Sequence, residues 1–325
     1  MANVAVGIEI NARAMHVVQV RKGRRGNMLE GSAMALFPPG MVTPGGVQDP
    51  EAFREIAVEV LERANAERIN LSISVSSERA DIRQMQLPRM SDRDMHQAIR
   101  QELERLVLYQ DDFLLDYQVL SEDAETKLCE VLVVSLPRKL VYSIVSPLQS
   151  AGYHPEIIDV GGFSLPLACP SDGGTGYLLL GPDLVHMLFC QGSEYRLSRL
   201  VPLPLTDLIE GIKNGDPPAA TVQNDATGSG RASVGGAPHP VIRTLCSTVT
   251  QTLEGAQDIG DTQVLIISGE GAQIEGMATW IEDETGIPTV RAVPLIGSGE
   301  ESHIEEEGAA YAVAVGMAHR GVAEL

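Results

Sequence analysis

Each half of the chain opens with three short strand patterns in a row, and this repeat constrains the fold more than any other feature. In the first half the patterns cover Asn3–Ile10, Met15–Val20 and Met28–Phe37. In the second half they cover Thr175–Leu180, Val185–Cys190 and Tyr195–Val201. Three consecutive strands joined by short loops indicate an antiparallel meander. A meander that opens each half, followed by helices, predicts an α/β fold of two similar lobes with βββαβαβ-like topology.

A glycine turn follows an apolar strand late in the chain, within the stretch 263–286. Val264–Ile267 is the predicted strand, Ser268–Ala272 the turn, and Gly286 the stop of a helix that carries Ile274, Met277 and Ile281 on one face. Amides at a helix N-terminus attract anions, so the turn is a candidate ligand shelf. A Walker A loop is excluded because Met277 stands where the lysine is needed, and the dinucleotide fingerprint because Ile274 replaces its third glycine. A turn without a ligand remains the alternative.

A second α+β unit is predicted inside the first half, at about residues 87–155. The chain breaks at Leu87-Pro88-Arg89, and Ser91 with Asp94 forms a capping box that opens a helix to about Tyr109. Two strands, Phe113–Leu120 and Leu128–Leu136, and a helix from Pro137 to Gly152 complete the unit. The glycine-, proline- and serine-rich stretch 214–240 is predicted to be a flexible surface excursion.

Composition narrows the classes of partner. The 325 residues carry a formal net charge of −20, which argues against nucleic acid and against direct binding to anionic lipid, and leaves basic protein partners open. No apolar run approaches the roughly 18 residues that span a bilayer. The four cysteines lie far apart without a CxxC pair, which predicts reduced, mostly buried thiols in a cytosolic protein.

No pattern of catalytic or metal-ligating residues stands out. The seven histidines include no HExxH motif or pair at metal-binding helical spacing, and no G-x-S-x-G elbow occurs. The acidic run Glu300–Glu307 is interpreted as a solvated helix start rather than a cation site. We therefore predict no catalytic residues and no metal site.

Several segments resemble one protein family in their order and spacing. VAVGIEINARAMHVVQV resembles the first phosphate-binding hairpin of the actin/Hsp70 superfamily, and VLIISGEGAQIEGMATWIEDETGIPTV resembles its adenosine-binding turn. LPRMSDRDMHQAIRQELERLVLYQDDFLLDYQVL resembles the inserted subdomain of FtsA-like proteins. Together these segments are similar to the PilM family of actin-like type IV pilus assembly proteins. The resemblance implies an actin-like (ribonuclease H-like) two-lobed α/β fold, with a first core at 1–86 and 156–172, an FtsA-type inserted subdomain at 87–155, and a second half at 173–325.

The same resemblance implies a function. PilM-family proteins are cytoplasmic scaffolds that bind the cytosolic N-terminal tail of the inner-membrane protein PilN, so membrane association is expected only through partners. Pilus motor ATPases and other pilus assembly proteins are further expected partners, and nucleic acid is not. The helix Met95–Val107 with its flanking strands is the candidate wall for the tail, although Met95, Ile99 and Leu103 also suit core positions. The alternatives are a GspL-like type II secretion component and a small-molecule kinase of the same superfamily.

The resemblance also locates a nucleotide site, which departs from the family pattern. The first hairpin, roughly Gly-Ile-Asp-Ile-Gly-Ser in the family, here carries Glu for Asp, Asn for the second Gly and Ala for Ser. The second hairpin has an apolar residue at its carboxylate position and Pro182 after its glycine, and Glu270 replaces a usual glycine of the adenosine turn. We predict weak or lost binding of ATP and Mg²⁺, and at most a weak residual ATPase activity. The candidate nucleotide-binding residues are Gly7, Glu9, Asn11, Ala12, Arg13, Gly181, Ser268, Gly269, Gly271 and Ala272.

Overall fold

The structure is a computed structural model that describes residues 3–24, 26–106, 112–213, 239–255, 259, 261–297 and 304–323. The first lobe begins with a three-strand meander, as predicted, and continues through a small hairpin into a helix and a parallel strand. These elements are β1 (Val4–Ile10), β2 (Ala14–Gly23), β3 (Gly26–Leu36), β4 (Val42–Thr43), β5 (Gly46–Val47), α1 (Pro50–Arg63) and β6 (Leu71–Val75). Asp49 caps α1 by accepting hydrogen bonds from the amides of Glu51 and Ala52, and Pro50 is its first residue.

A separate three-stranded sheet with one helix follows β6. Its elements are β7 (Asp81–Pro88), α2 (Asp92–Arg105), β8 (Phe113–Glu122) and β9 (Leu128–Pro137), and the strand order is β7-β9-β8. The sheet therefore starts at Asp81, before the predicted boundary at 87, because β7 pairs along its whole length with β9. Ser91 accepts a hydrogen bond from the Asp94 amide and caps α2, which ends at Arg105 rather than near Tyr109. Residues 107–109 lie outside the described residues.

The chain then returns to the first lobe through α3 (Arg138–Ser150), β10 (Pro155–Val160) and the short α4 (Leu165–Ala168). The buried side of α3, which includes Leu140, Ile144 and Leu148, belongs to the main core of the protein. Helix α3 therefore packs with the first lobe, although the sequence grouped it with the inserted unit. The lobe's sheet has the order β10-β6-β1-β2-β3.

The second lobe repeats this plan. Its elements are β11 (Gly174–Leu180), β12 (Leu184–Gln191), β13 (Glu194–Pro202), α5 (Thr206–Lys213), α6 (Pro240–Gly255), β14 (Thr262–Ser268), α7 (Met277–Thr285), β15 (Thr289–Arg291) and α8 (Ile304–Ala323). The sheet order β13-β12-β11-β14-β15 is equivalent to that of the first lobe when the strands are matched one by one. This match confirms the predicted duplication. The predicted excursion at 214–240 lies outside the described residues except at its last two positions.

The glycine turn differs from its prediction in one respect. A 3₁₀ turn at Glu270–Gln273 follows β14, and α7 begins only at Met277, after Gly276 in a left-handed conformation (φ 81°). Ile274 is buried but precedes the helix, because Gly276 interrupts the helical backbone there. Gly286 ends α7 in a left-handed conformation (φ 70°), as predicted.

Helix α8 joins the two lobes at the centre of the molecule. It packs against β1, β2 and β6 of the first lobe and against β14 and the glycine turn of the second. Alanine and valine dominate its buried surface, so the neighbouring strands approach it closely. Since both lobes and both candidate sites described below contact α8, this helix determines how they are placed relative to one another.

Candidate functional site

The cleft between the two lobes brings together four of the predicted nucleotide-site residues. Glu9, Asn11, Gly181 and Gly269 all line it. The cavity in this cleft is small, about 40 Å³, whereas sites for drug-sized ligands are about 300–1,000 Å³. The sequence did not single out the following lining residues, which lie in β6, in β12 and in the turns that follow β6 and β10: Ser74, Val75, Ser76, Ser77, Glu78, Gly161 and His186.

Asn11 closes the turn between β1 and β2 on itself. Its side-chain oxygen accepts hydrogen bonds from the backbone amides of Arg13 (2.9 Å) and Ala14 (2.8 Å). The Asn11 amide in turn donates to the carbonyl of Ala14 (3.1 Å). In a phosphate-binding hairpin such amides point at the ligand. Here a side-chain carbonyl of the same turn already takes two of them.

A charged cluster lies beside this turn and connects the lobes. Arg13 of the first lobe lies 3.5 Å from the carboxylate of Glu270, which belongs to the glycine turn of the second lobe. Glu9 is buried, and His16 Nδ1 lies 3.6 Å from its carboxyl group. Burial, and next the charge of Glu270, raises the pKa of Glu9 to about 8, against the opposing hydrogen bond of Asn11. At pH 7 this carboxyl group is therefore mostly protonated, a poor state for organising the water shell of Mg²⁺.

The second hairpin and the glycine turn pack against each other. The Gly181 amide donates to the carbonyl of Leu184 (3.0 Å), and the Gly269 amide to the carbonyl of Ala309 in α8 (3.0 Å). A Cβ at Gly269 would lie 2.8 Å from the carbonyl oxygen of Leu180, and one at Gly271 would lie 2.8 Å from the Leu180 Cβ. The two glycines thus allow the turn to pack closely against Leu180 of the second hairpin.

The remaining predicted nucleotide residues lie away from the cleft lining. Gly7 is in the middle of β1 and faces α8, where a Cβ would lie 2.0 Å from the carbonyl oxygen of Ala314. Ala12 lines a separate, smaller hollow. Ser268 is buried and donates a hydrogen bond to the carbonyl of Ala309 (2.8 Å), and Ala272 belongs to the core.

His186 links the lobes by a buried hydrogen-bond network. Its Nδ1 accepts a hydrogen bond from the Gly162 amide (3.0 Å) and lies 3.5 Å from the Ser77 hydroxyl. Since Nδ1 accepts, Nε2 carries the proton and donates to the Ser198 hydroxyl (2.8 Å). Burial lowers the pKa of His186 to about 3, so the ring is neutral at pH 7. These contacts indicate a structural histidine rather than a catalytic base.

A larger groove lies between the inserted sheet and the first lobe. Its volume is about 430 Å³. Strand β8 of the inserted sheet and strand β10 of the first lobe contribute to its walls, and each is the outermost strand of its sheet. The lining residues are Leu114–Gln118, Leu132, Val134–Leu136, Val141, Ile158–Val160, Phe163, Tyr195 and Arg320. The sequence pointed to this region only through the strands that flank the helix Met95–Val107, and it singled out none of these residues individually, because no motif marks a strand as the edge of a sheet.

The alternation of side chains in β9 separates this groove from the core under α2. Leu132 and Leu136 face the groove, whereas Val131 and Val133 pack with the buried residues of α2. Met95, Ile99 and Leu103 are at most 3% exposed in that small core. The helix that the sequence offered as a wall for a partner peptide thus lies on the opposite face of the sheet, and its apolar stripe is core.

Comparison with known families and structures agrees with this architecture. The sequence profile of the family described as "Type IV pilus assembly protein PilM" matches residues 7–171, half of the chain. The chain belongs to the PilM family. The solved structure described as "PilM-PilN type IV pilus biogenesis complex" is similar over 98% of each chain, with 25% sequence identity and a TM-score of 0.80. The PilM-family fold, actin-like as expected, is thereby confirmed.

More distant structures share the fold alone. The ethanolamine utilization protein EutJ from Carboxydothermus hydrogenoformans matches 97% of this chain and 89% of its own, at 12% identity and a TM-score of 0.54. The cytoplasmic domain of EpsL from the Vibrio cholerae type II secretion system covers 99% and 95% of the two chains, at 10% identity and a TM-score of 0.44. No curated protein matches this PilM-family chain significantly in sequence.

Three further features concern the residues that the structure describes. No helix among them is long and apolar enough to cross a membrane. No group of three or more His, Cys, Asp or Glu side chains in these residues is placed to hold a metal ion. All four cysteines are free and buried, as the sequence predicted.

Proposed function

We propose that the protein is a cytoplasmic scaffold of the type IV pilus assembly machine and binds the N-terminal tail of a PilN-type membrane protein in the groove between β8 and β10. The observation that carries the proposal is this groove between two sheet edges, in a chain whose fold matches a solved PilM–PilN complex. The bound tail would place the protein at the inner membrane. The overlap in fold with EpsL is too weak to favour a role in type II secretion.

The chemistry of the groove suits an extended peptide. The outer edges of β8 and β10 face no further strand among the described residues, so their backbone groups can pair with an added strand. Leu114, Leu132, Val134 and Ile158 provide apolar surface for alternate side chains of that strand. Ile158 is 40% exposed, which leaves apolar surface for a partner to cover.

The first experiment is a calorimetric titration of the protein with a synthetic peptide covering the cytosolic N-terminal tail of the PilN-type protein from the same organism. We expect saturable one-to-one binding, with a dissociation constant on the order of 1–100 µM for a short peptide that is ordered on binding. A peptide of the same composition in scrambled order is the control. Absence of heat and of a thermal shift at saturating peptide would rule out the proposal.

We further propose that the cleft between the lobes no longer serves as a Mg-ATP site and that the protein has no enzymatic activity. The hydrogen bonds of Asn11 to two amides, the mostly protonated Glu9 and the Arg13–Glu270 pair support this proposal. Magnesium-bound phosphates need free amide donors and an ionised carboxylate. The residues present fit this group poorly, and the same argument disfavours the small-molecule kinase.

The nucleotide proposal predicts that millimolar Mg-ATP causes no thermal shift. It also predicts that a fluorescent ATP analogue shows no saturable binding. The physical reason is that binding would have to break the Asn11 turn and open a cavity of about 40 Å³. An actin-like protein with an intact phosphate site is the positive control. Magnesium-dependent binding with micromolar affinity that is lost in the Glu9→Ala variant would contradict this proposal.

A further inference from the structure

The groove contains more negative than positive charge, and apolar side chains make up much of the rest of its lining. Its charged lining residues are Asp116 on β8, Asp159 on β10 and Arg320 on α8. Two carboxylates and one guanidinium group therefore line a cleft whose walls also carry apolar side chains. Such a cleft concentrates the field of its charges and favours a ligand of the opposite sign.

Asp159 is the deeper of the two carboxylates and is incompletely satisfied. Its side chain is 17% exposed, and Oδ2 lies 2.8 Å from the guanidinium of Arg320. No partner meets the geometry of a hydrogen bond to Oδ2, although Oδ1 accepts one from the Val160 amide (2.7 Å). Burial raises the pKa of Asp159, and the charge of Arg320 opposes that rise.

The guanidinium group of Arg320 contacts two acceptors, the carboxylate of Asp159 and the carbonyl of Phe163. The terminal nitrogen that faces Asp159 also donates to the carbonyl of Phe163 (3.3 Å), and Nε has no hydrogen-bond partner. Its charge is thus shared between a carboxylate and a backbone carbonyl. Arg320 makes no ion pair with Asp116 on the opposite wall.

Asp116 stands on the opposite wall without a cation. It is exposed, and its carboxylate accepts a hydrogen bond from the amide of Tyr117 (2.9 Å). No Lys, Arg or His of the described residues lies within ion-pair distance of it. Its charge acts on Asp159 across the groove, because it contributes to the raised pKa of that residue. The two carboxylates therefore border the same space.

We propose that the groove selects a tail that carries a lysine or arginine, whose cationic end lies between Asp116 and Asp159 while its aliphatic stem packs on the apolar wall. The proposal rests on the proposed function, since it names the chemistry of the peptide bound in the same groove. Lysine and arginine can bury a long stem against apolar side chains and keep the charged end at a polar position. Complementary charge at this position adds specificity and makes binding sensitive to salt.

The test is fluorescence anisotropy of the labelled tail peptide with the wild-type protein and with Asp116→Asn, at several salt concentrations. We expect the substitution to weaken binding by about fivefold to thirtyfold at low salt, the range of one partly buried charge pair. The loss should shrink as salt rises. Glu59→Gln is the matched control, since Glu59 is an exposed carboxylate on α1, outside the groove, and its removal changes the net charge equally.

A second arm replaces each basic residue of the peptide in turn by glutamine. One replacement should weaken binding to the wild-type protein but add little to the loss already caused by Asp116→Asn, which identifies the contacting residue. Equal affinity and equal salt dependence for wild type and Asp116→Asn, in a wild-type protein that binds the peptide, would overturn this inference alone. Failure of the wild-type protein to bind the peptide would instead overturn the proposed function.

Discussion

Replacing Gly7 by alanine is expected to destabilise the protein by about 3 kcal/mol, at the upper end of the usual range for overpacking. A Cβ at this position would lie 2.0 Å from the carbonyl oxygen of Ala314 and 2.3 Å from the amide nitrogen of Ala318. Both are backbone atoms of α8, so no side-chain rotation relieves the clash. Either β1 or α8 must shift, and α8 contacts both lobes.

The measurement is the denaturant midpoint and the apparent melting temperature of Gly7→Ala beside the wild-type protein. Gly255→Ala is the control, because a Cβ there has nothing within 4 Å, and it should leave both values nearly unchanged. The loss should be the same with and without Mg-ATP if Gly7 serves packing rather than a ligand. A melting temperature equal to that of the wild type would contradict the close approach of β1 to α8.

Replacing Ile158 by lysine is expected to weaken binding of the PilN-type tail by about thirtyfold or more, as for the loss of an interface anchor. Ile158 lies on β10 at the groove and is 40% exposed, so the fold should tolerate the change. The substitution replaces apolar surface, which the peptide would cover, by a charged ammonium group. It also places a competing cation near Asp159, where the tail's own positive charge is proposed to lie.

Calorimetric titration measures this loss, and thermal unfolding checks that the variant is folded. Ile69→Lys is the matched control: Ile69 is 37% exposed and lies outside the groove, and the substitution adds the same charge. It should bind the peptide within about twofold of the wild-type affinity, since distant surface changes have small effects. Equal binding by both variants would show that the tail does not occupy this groove.

The two hairpins of the cleft illustrate where sequence reasoning succeeded and where it stopped. Position 11 was recognised as a departure from glycine, but the sequence did not reveal that the Asn11 oxygen takes the amides of Arg13 and Ala14. That outcome depends on the exact turn conformation. Gly7 looked like a ligand glycine because it lies in a phosphate-loop pattern. Its closeness to α8, more than 300 residues later in the chain, leaves no trace in the local pattern.

Prediction of the partner site from the sequence meets the same limit, because the groove is formed by residues that are distant in the chain. The sequence predicted β9 as a strand, but it could not indicate which face packs under α2 and which lines the groove. The helix α2 lies on the other face of the inserted sheet from the groove. Asp116, Asp159 and Arg320 are separated along the chain by 43 and 161 residues, so no local motif could have joined them.

The sequence by itself determined the two lobes, their repeated meanders, the cap of α2, and the family, because these depend on local periodicity, capping residues and the order of segments. The tertiary structure decided the remaining points: that β7 belongs to the inserted sheet, that α3 packs with the first lobe, that the lobes meet in a cleft of about 40 Å³, and that a groove of about 430 Å³ lies beside β10. These features depend on contacts between residues distant in the chain, and one-dimensional patterns do not encode such contacts directly.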